Sequence, residues 1–181
     1  MSAPEVSSVS ATIDRPPVQS ATGRPVLTTE RVWNKIERAS FAVISYVTPA
    51  GTPRSSGVMC AAGGHRLYVV TAADSWKARQ ISSGDEVAVT VPIRRGGLLS
   101  LVAPIPPATV SFHAKATVHP SGTASTEKMP KRLASQLPKE RRSAGCLLEL
   151  VPEGNFLTYG LGVSLQGMAK PQAALAHVPV S

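Results

Sequence analysis

The 181-residue chain carries 19 Lys and Arg against 11 Asp and Glu, a formal net charge of +8. That length holds one domain with a real core, and the basic balance points to an anionic partner: a phosphorylated small molecule, nucleic acid or an anionic membrane surface. Aromatic content of 4% speaks against single-stranded nucleic acid, whose sites need rings for base stacking, and no segment approaches the roughly 20 apolar residues that span a bilayer.

Residues 1–27 are rich in Ser, Pro, Thr and Ala and have neither the basic start nor the apolar stretch of a secretory signal. Too little apolar content to offset ordering entropy predicts a disordered or loosely docked arm on a cytoplasmic protein. Order begins at Thr28 and Thr29, either of which caps a helix through Ala39, with Val32, Ile36 and Ala39 as its buried stripe. An apolar run at 41–47, a turn at 48–52 with Pro49 and Gly51, a second strand at 53–62, a tight turn at Gly63-Gly64 and a third strand at 66–71 follow. Ser75 caps a crossover helix ending near Gly84, and 86–93 returns to strand.

Lys77 and Arg79 fall in the first turn of that helix. Cations there oppose the partial positive charge of the helix amino end, a conflict that a bound phosphate resolves; the alternative is that both side chains bend away into solvent at a cost of only ~0.3–1 kcal/mol. In the segment 94–107, Arg94-Arg95-Gly96-Gly97 leads into apolar, Pro-broken sequence. It suits a lid over a pocket or a patch buried in a dimer better than a membrane-touching lip, because the prolines prevent a regular amphipathic helix.

At 109–118, Val110, Phe112, Ala114, Ala116 and Val118 alternate with Thr109, Ser111, His113, Lys115 and Thr117, the pattern of a strand with one face in the core. His113 and Lys115 thereby face solvent, a substrate or a partner subunit. A basic, helical stretch at 125–142 is interrupted by Pro130 and Pro138, and a last hairpin joins 146–151 to 155–161 around Pro152-Glu153-Gly154. The tail 162–181 shows no period. Cys60 and Cys146 sit in apolar runs without metal-ligand spacing and read as buried thiols. His65, His119 and His177 lack partners at useful spacing, so no metal site is expected.

Strands joined mostly by hairpins, with helices at the margins, describe a mainly β (α+β) fold: a small antiparallel barrel or sandwich. With the turn Gly51 to Pro53, the Ser-rich second strand, the third strand ending in Val69-Val70-Thr71, and Ser75-x-Lys77-Ala78-x-x-Ile81 on the page, the chain resembles the flavin-binding split β-barrel superfamily typified by pyridoxamine 5'-phosphate oxidase, which includes deazaflavin-dependent reductases. The resemblance implies an antiparallel split β-barrel with peripheral helices over 28–161, between the arm 1–27 and the tail 162–181, in a homodimer that binds cofactor between subunits. It implies FMN or coenzyme F420 as cofactor, with its ring and ribityl chain along Arg54, Ser55, Ser56, Val58 and Met59. Its phosphate would lie at Thr71, Ser75 and Lys77, with Trp76 either stacking on the cofactor or packing in the fold and Arg54, Arg79 or Arg94-Arg95 as further cations. The chain departs from the oxidases at Ser56, Ala61 and Trp76, where their pattern has Arg, Lys and Arg, and its tail lacks their Trp and Arg segment. The resemblance therefore implies an oxidoreductase for a small organic substrate other than a true pyridoxamine phosphate oxidase. The alternatives are a carrier or sensor holding flavin, haem or an apolar ligand on the same barrel, and a nucleic-acid binder acting through 128–142.

Overall fold

Branched residues on alternate positions make the strands, and hairpin turns set their order. The computed structural model describes residues 27–82, 84–95 and 105–181; the expected arm, and most of the proposed lid, lie outside them. Helix α1 (Thr29–Ile36) begins where the Thr28 side chain accepts from the Arg31 amide. It buries Val32, Trp33 and Ile36, so Trp33 stands beside the expected stripe while Ala39 lies past the helix end. Strands β1 (Phe41–Val47), β2 (Pro53–Gly63) and β3 (Arg66–Ala72) form an antiparallel meander. The turn between β2 and β3 is centred on Gly64 and His65, at φ 59° and 58°. A two-residue turn with both central residues left-handed matches strand twist, and His65 holds its place by stacking on Trp33 at 5.0 Å.

After β3 the chain passes through helix α2 (Trp76–Gln80) into β4 (Glu86–Ile93), which pairs with β1. Helix α2 stops before the expected Gly84 because buried Ile81 is extended and the Asp85 carboxylate accepts from the Ser82 amide. Strand β5 (Ala108–His119) pairs with β4. The basic stretch divides into α3 (Thr123–Lys128), α4 (Lys131–Gln136) and α5 (Lys139–Ala144), with Pro130 and Pro138 preceding the last two.

The expected last hairpin is instead one strand, β6 (Gly145–Tyr159). Its halves do not pair with each other; both pair with β5, and the register shifts between Ser111 and His113. Gly154, at φ 71°, serves this irregularity and not a turn. Sheet order is β3-β2-β1-β4-β5-β6, and β3 also pairs with β6, closing a six-stranded antiparallel barrel. The tail without sequence period adds α6 (Leu165–Met168), α7 (Pro171–Ala174) and β7 (Leu175–Pro179), which pairs with the second half of β6.

Inward residues of every barrel strand share one core with α1, where Phe156 meets Trp33 and Phe112 edge-on at 5.3 and 5.4 Å. Fully burying each such side chain stabilises the fold by ~1.5–3 kcal/mol. A second cluster on the outer barrel wall packs Met129, Leu133 and Leu137 against Ala61 and Leu147. Both cysteines are free and buried; burial pushes the Cys60 thiol up to about 11 despite the charge of Arg132, which leaves it unreactive at neutral pH.

Glu149, 3% exposed on β6, bonds Arg66 of β3 and, at 2.7 Å, His119 Nε2 of β5. Burial pushes its carboxyl up, but hydrogen bonds and charge from Arg66 and His119 outweigh that and hold it below the ordinary range. A depressed folded value means stability that is present above the unfolded Glu value of about 4.3 and lost as pH falls through the folded one. Glu149→Gln is expected to destabilise the chain by about 1–3 kcal/mol at neutral pH and to flatten the acid limb below that value, as read by denaturant unfolding across pH.

Candidate functional site

Where β3 runs out, Thr71 turns its hydroxyl toward the start of α2, 2.8 Å from Ser75 Oγ. Ser75 is the N-cap: its hydroxyl accepts from the Ala78 amide at 3.2 Å, satisfying one of the donors a helix start leaves open. One turn on, Lys77 reaches across to β2 and donates from Nζ to Ser56 Oγ at 3.0 Å. Four side chains thus form two hydrogen-bonded pairs, Thr71 with Ser75 and Lys77 with Ser56.

Both pairs lie beside a cleft of about 770 Å³ whose near wall is Val58, Met59, Thr71, Ser75 and Lys77 and whose far wall is Leu137 together with Glu140 and Arg141 of α5. Gly145 at the start of β6 lets the far wall approach, since a Cβ there would lie 2.7 Å from the Arg141 carbonyl and from Val70. Met59 is 45% exposed and Val58 buried, so apolar surface and charged groups share the cleft. Lys77 and Arg141 are balanced by Asp74 and Glu140 on the same cleft.

The residues expected at a cofactor divide between two places. Val58, Met59, Thr71, Ser75 and Lys77 line this cleft, and Ser56 joins it through Lys77. Arg54 and Ser55 instead line a second cleft of about 640 Å³, with Tyr46, Gln80, Glu86 and His113. Arg54 is paired with Tyr46 across β1 and β2, and its charge opposes the rise that burial causes in the Tyr46 hydroxyl's pKa. Trp76 opens α2; its side chain lies outside the described residues. Arg79 folds back, donating to the Asp74 carbonyl at 2.7 Å, while Arg94 and Arg95 line a third cleft beside α1. His113 and Lys115 are both exposed, as strand alternation predicts.

Sequence reasoning missed Arg141, Glu140 and Gly145. Arg141 lay in plain view in the basic stretch, but its placement against Lys77 depends on the β3 and β6 pairing, which no local pattern encodes. Among the described residues no group of His, Cys, Asp or Glu could hold a metal ion.

No family model matches the chain, and no curated protein matches it. Solved structures do. An F420 reductase superposes with a TM-score of 0.51 at 18% identity, covering 68% of this chain and 93% of its own. HutZ, the haem storage protein from Vibrio cholerae, gives 0.56 at 14% identity, covering 74% and 96%. A protein from Listeria innocua assigned as a pyridoxamine 5'-phosphate oxidase gives 0.51 at 13%, covering 69% and 93%. At these identities the fold is what is shared.

Removing the cap hydroxyl isolates its structural share. Ser75→Ala is expected to destabilise α2 by about 1 kcal/mol, and hydrogen exchange at the Ala78 amide should quicken more than exchange in β4.

Proposed function

We propose that this chain, which has the split-barrel fold of the pyridoxamine 5'-phosphate oxidase-like flavin-binding superfamily, binds FMN or coenzyme F420 in the Lys77 cleft and acts as an oxidoreductase on a small organic substrate. The observation that carries this reading is that Thr71, Ser75 and Lys77 line one cleft with Val58 and Met59, Thr71 bonded to Ser75 and Lys77 held by Ser56. Two hydroxyls and an ammonium group on one cleft suit a phosphate monoester, for which charge-assisted hydrogen bonds are the strong contacts. Val58 and Met59 offer the apolar surface against which a flat ring system rests, and Arg141 supplies a second cation from the opposite wall. Either cofactor carries the hydride or electrons at its own ring. The chain then needs to supply only binding, orientation and access.

A homodimer completes this reading. Phe41 and Met59 face each other across β1 and β2 and are 46% and 45% exposed, with Val47 on the same face at 65%. An apolar outward sheet face of this kind suits burial against a second copy, and Met59 belongs both to that face and to the cleft. A carrier of haem, as HutZ is by name, would need an axial ligand, for which the described residues of the cleft offer Met59. The hydroxyls and cations of the cleft suit the phosphate of a flavin or deazaflavin better.

The test is a fluorescence titration of the full chain with FMN and, separately, with F420. One of them is expected to bind, and Lys77→Ala to weaken it by about 1.5–3 kcal/mol. Arg54→Ala should leave affinity unchanged. Binding of neither cofactor overturns the assignment, and tight binding without turnover against reductants and acceptors would favour the carrier. Sedimentation should give twice the chain mass of 18.9 kDa, reduced to that mass by Phe41→Glu.

A further inference from the structure

The net positive charge is concentrated in a place that the proposed function leaves unused. A cleft of about 670 Å³ lies between α1, the end of β4 and the turn after β6. Arg31, Lys35, Arg94 and Arg95 line it, together with the backbone of residues 160–164. A smaller neighbouring cleft of about 240 Å³ shares Lys35 and Arg94 and adds Arg38. No Asp or Glu lines either cleft among the described residues.

The arrangement follows from helix period and strand end. Arg31, Lys35 and Arg38 recur at spacings of four and three, so they share a face of α1 and its C-terminal turn, while Val32, Trp33 and Ile36 face the core. Like charges at that spacing repel in the absence of an anion. Arg94 and Arg95 follow directly on buried Ile93, where β4 ends beside that face. Arg95 is fixed in place: its guanidinium donates to the Val163 carbonyl and to the Met168 sulfur. Met168 is itself wedged against Gly160, where a Cβ would lie 2.6 Å from its methyl group, and its carbonyl accepts from the Tyr159 hydroxyl at 2.9 Å. The two fixed contacts leave further guanidinium donors on Arg95, already oriented, and an oriented cation loses little entropy on meeting a ligand.

We infer that this cleft binds a compact polyanion of the diphosphate class, with two adjacent phosphate groups shared among Lys35, Arg94 and Arg95. Lys35, Arg94 and Arg95 together carry more charge than a single phosphate neutralises, and guanidinium groups match phosphate oxygens two at a time. The volume falls within the range of small-ligand pockets, and among the described residues no aromatic side chain on which a base would stack lines the cleft, so a small molecule fits better than nucleic acid. The inference does not depend on the cofactor proposed for the Lys77 cleft.

Isothermal titration of the full chain with inorganic pyrophosphate and with orthophosphate, at constant ionic strength, tests it. Pyrophosphate should bind at least about tenfold more tightly than orthophosphate. Lys35→Gln combined with Arg94→Gln should remove at least that advantage, and Lys77→Ala should leave it intact. Both substituted side chains are exposed, so the melting temperature is expected to hold; each single variant should show part of the same loss. Equal affinity for the two anions, or affinity retained in the double variant, would overturn the inference, as would loss of binding in Lys77→Ala.

Discussion

Closure of the barrel by the pairing of β3 with β6 is the constraint on which the rest depends. It sets Thr71 opposite Cys146 and Ala72 opposite Gly145, and so brings the end of α5 over the start of α2. Without it, β3 would be a sheet edge exposing unpaired backbone groups, and the Lys77 cleft would have one wall. The pairing joins residues about eighty positions apart, and long-range pairing of this kind costs loop entropy before it returns contacts. Two devices secure it. The apolar residues of β6 are buried on both faces, inward at Leu148 and Leu150 and outward at Leu147 beneath the helices. On the outward face, Glu149 ties Arg66 and His119 from the strands on either side.

The short helix α2 then divides the barrel's outer surface. Its first turn gives Lys77 to one cleft and its last residue, Gln80, to another. Strand β2 is divided at the same level, with Arg54 and Ser55 on one side and Val58 and Met59 on the other. Ser56 sits at the boundary, where it receives the Lys77 ammonium. A guanidinium at position 56 would repel Lys77, whereas a hydroxyl accepts its hydrogen bond. The Lys77 end of the cleft therefore draws its second cation, Arg141, from the far wall and a different part of the chain.

Local pattern carried most of the fold. The run 41–47, the strand 86–93 and the alternation from Val110 to Val118 were legible because one face of each is core and period two leaves little choice. Ser75 was legible as a cap, and with it the Lys77 end of the cleft. What escaped has a common cause. Pro152-Glu153-Gly154 has turn composition, yet partner strand β5 holds both flanks in one line, and the glycine's left-handed φ is used in a register shift. Strand β7 has too few apolar residues to announce itself; it is recruited by the second half of β6 and by contacts from α1, where Thr29 bonds the Pro179 carbonyl at 2.7 Å and Trp33 the Val180 carbonyl. Glu149, lodged among leucines, reads as an interruption until Arg66 and His119 are seen beside it. In each case tertiary partners decided what local propensity left open.

The distribution of charge follows from the same architecture. The barrel interior admits no ion, and the strands' outward faces are largely hydroxylated or apolar, with Ser45 bonded to Ser55 at 2.6 Å and Thr90 to Ser111 at 2.9 Å across strand pairs. Cations are therefore pushed to helices and strand ends: α1, α2, α5 and the end of β4. Where such an end also meets a carboxylate, as around Asp74 and Glu140 in the Lys77 cleft, the local field is balanced and selectivity must come from geometry. At the end of β4 no carboxylate among the described residues lines the clefts that hold the arginines, so the described charges there favour anions. One cleft thus sets cations against carboxylates, so that geometry must select its occupant, while the other gathers cations at a helix face and a strand end, so that charge does.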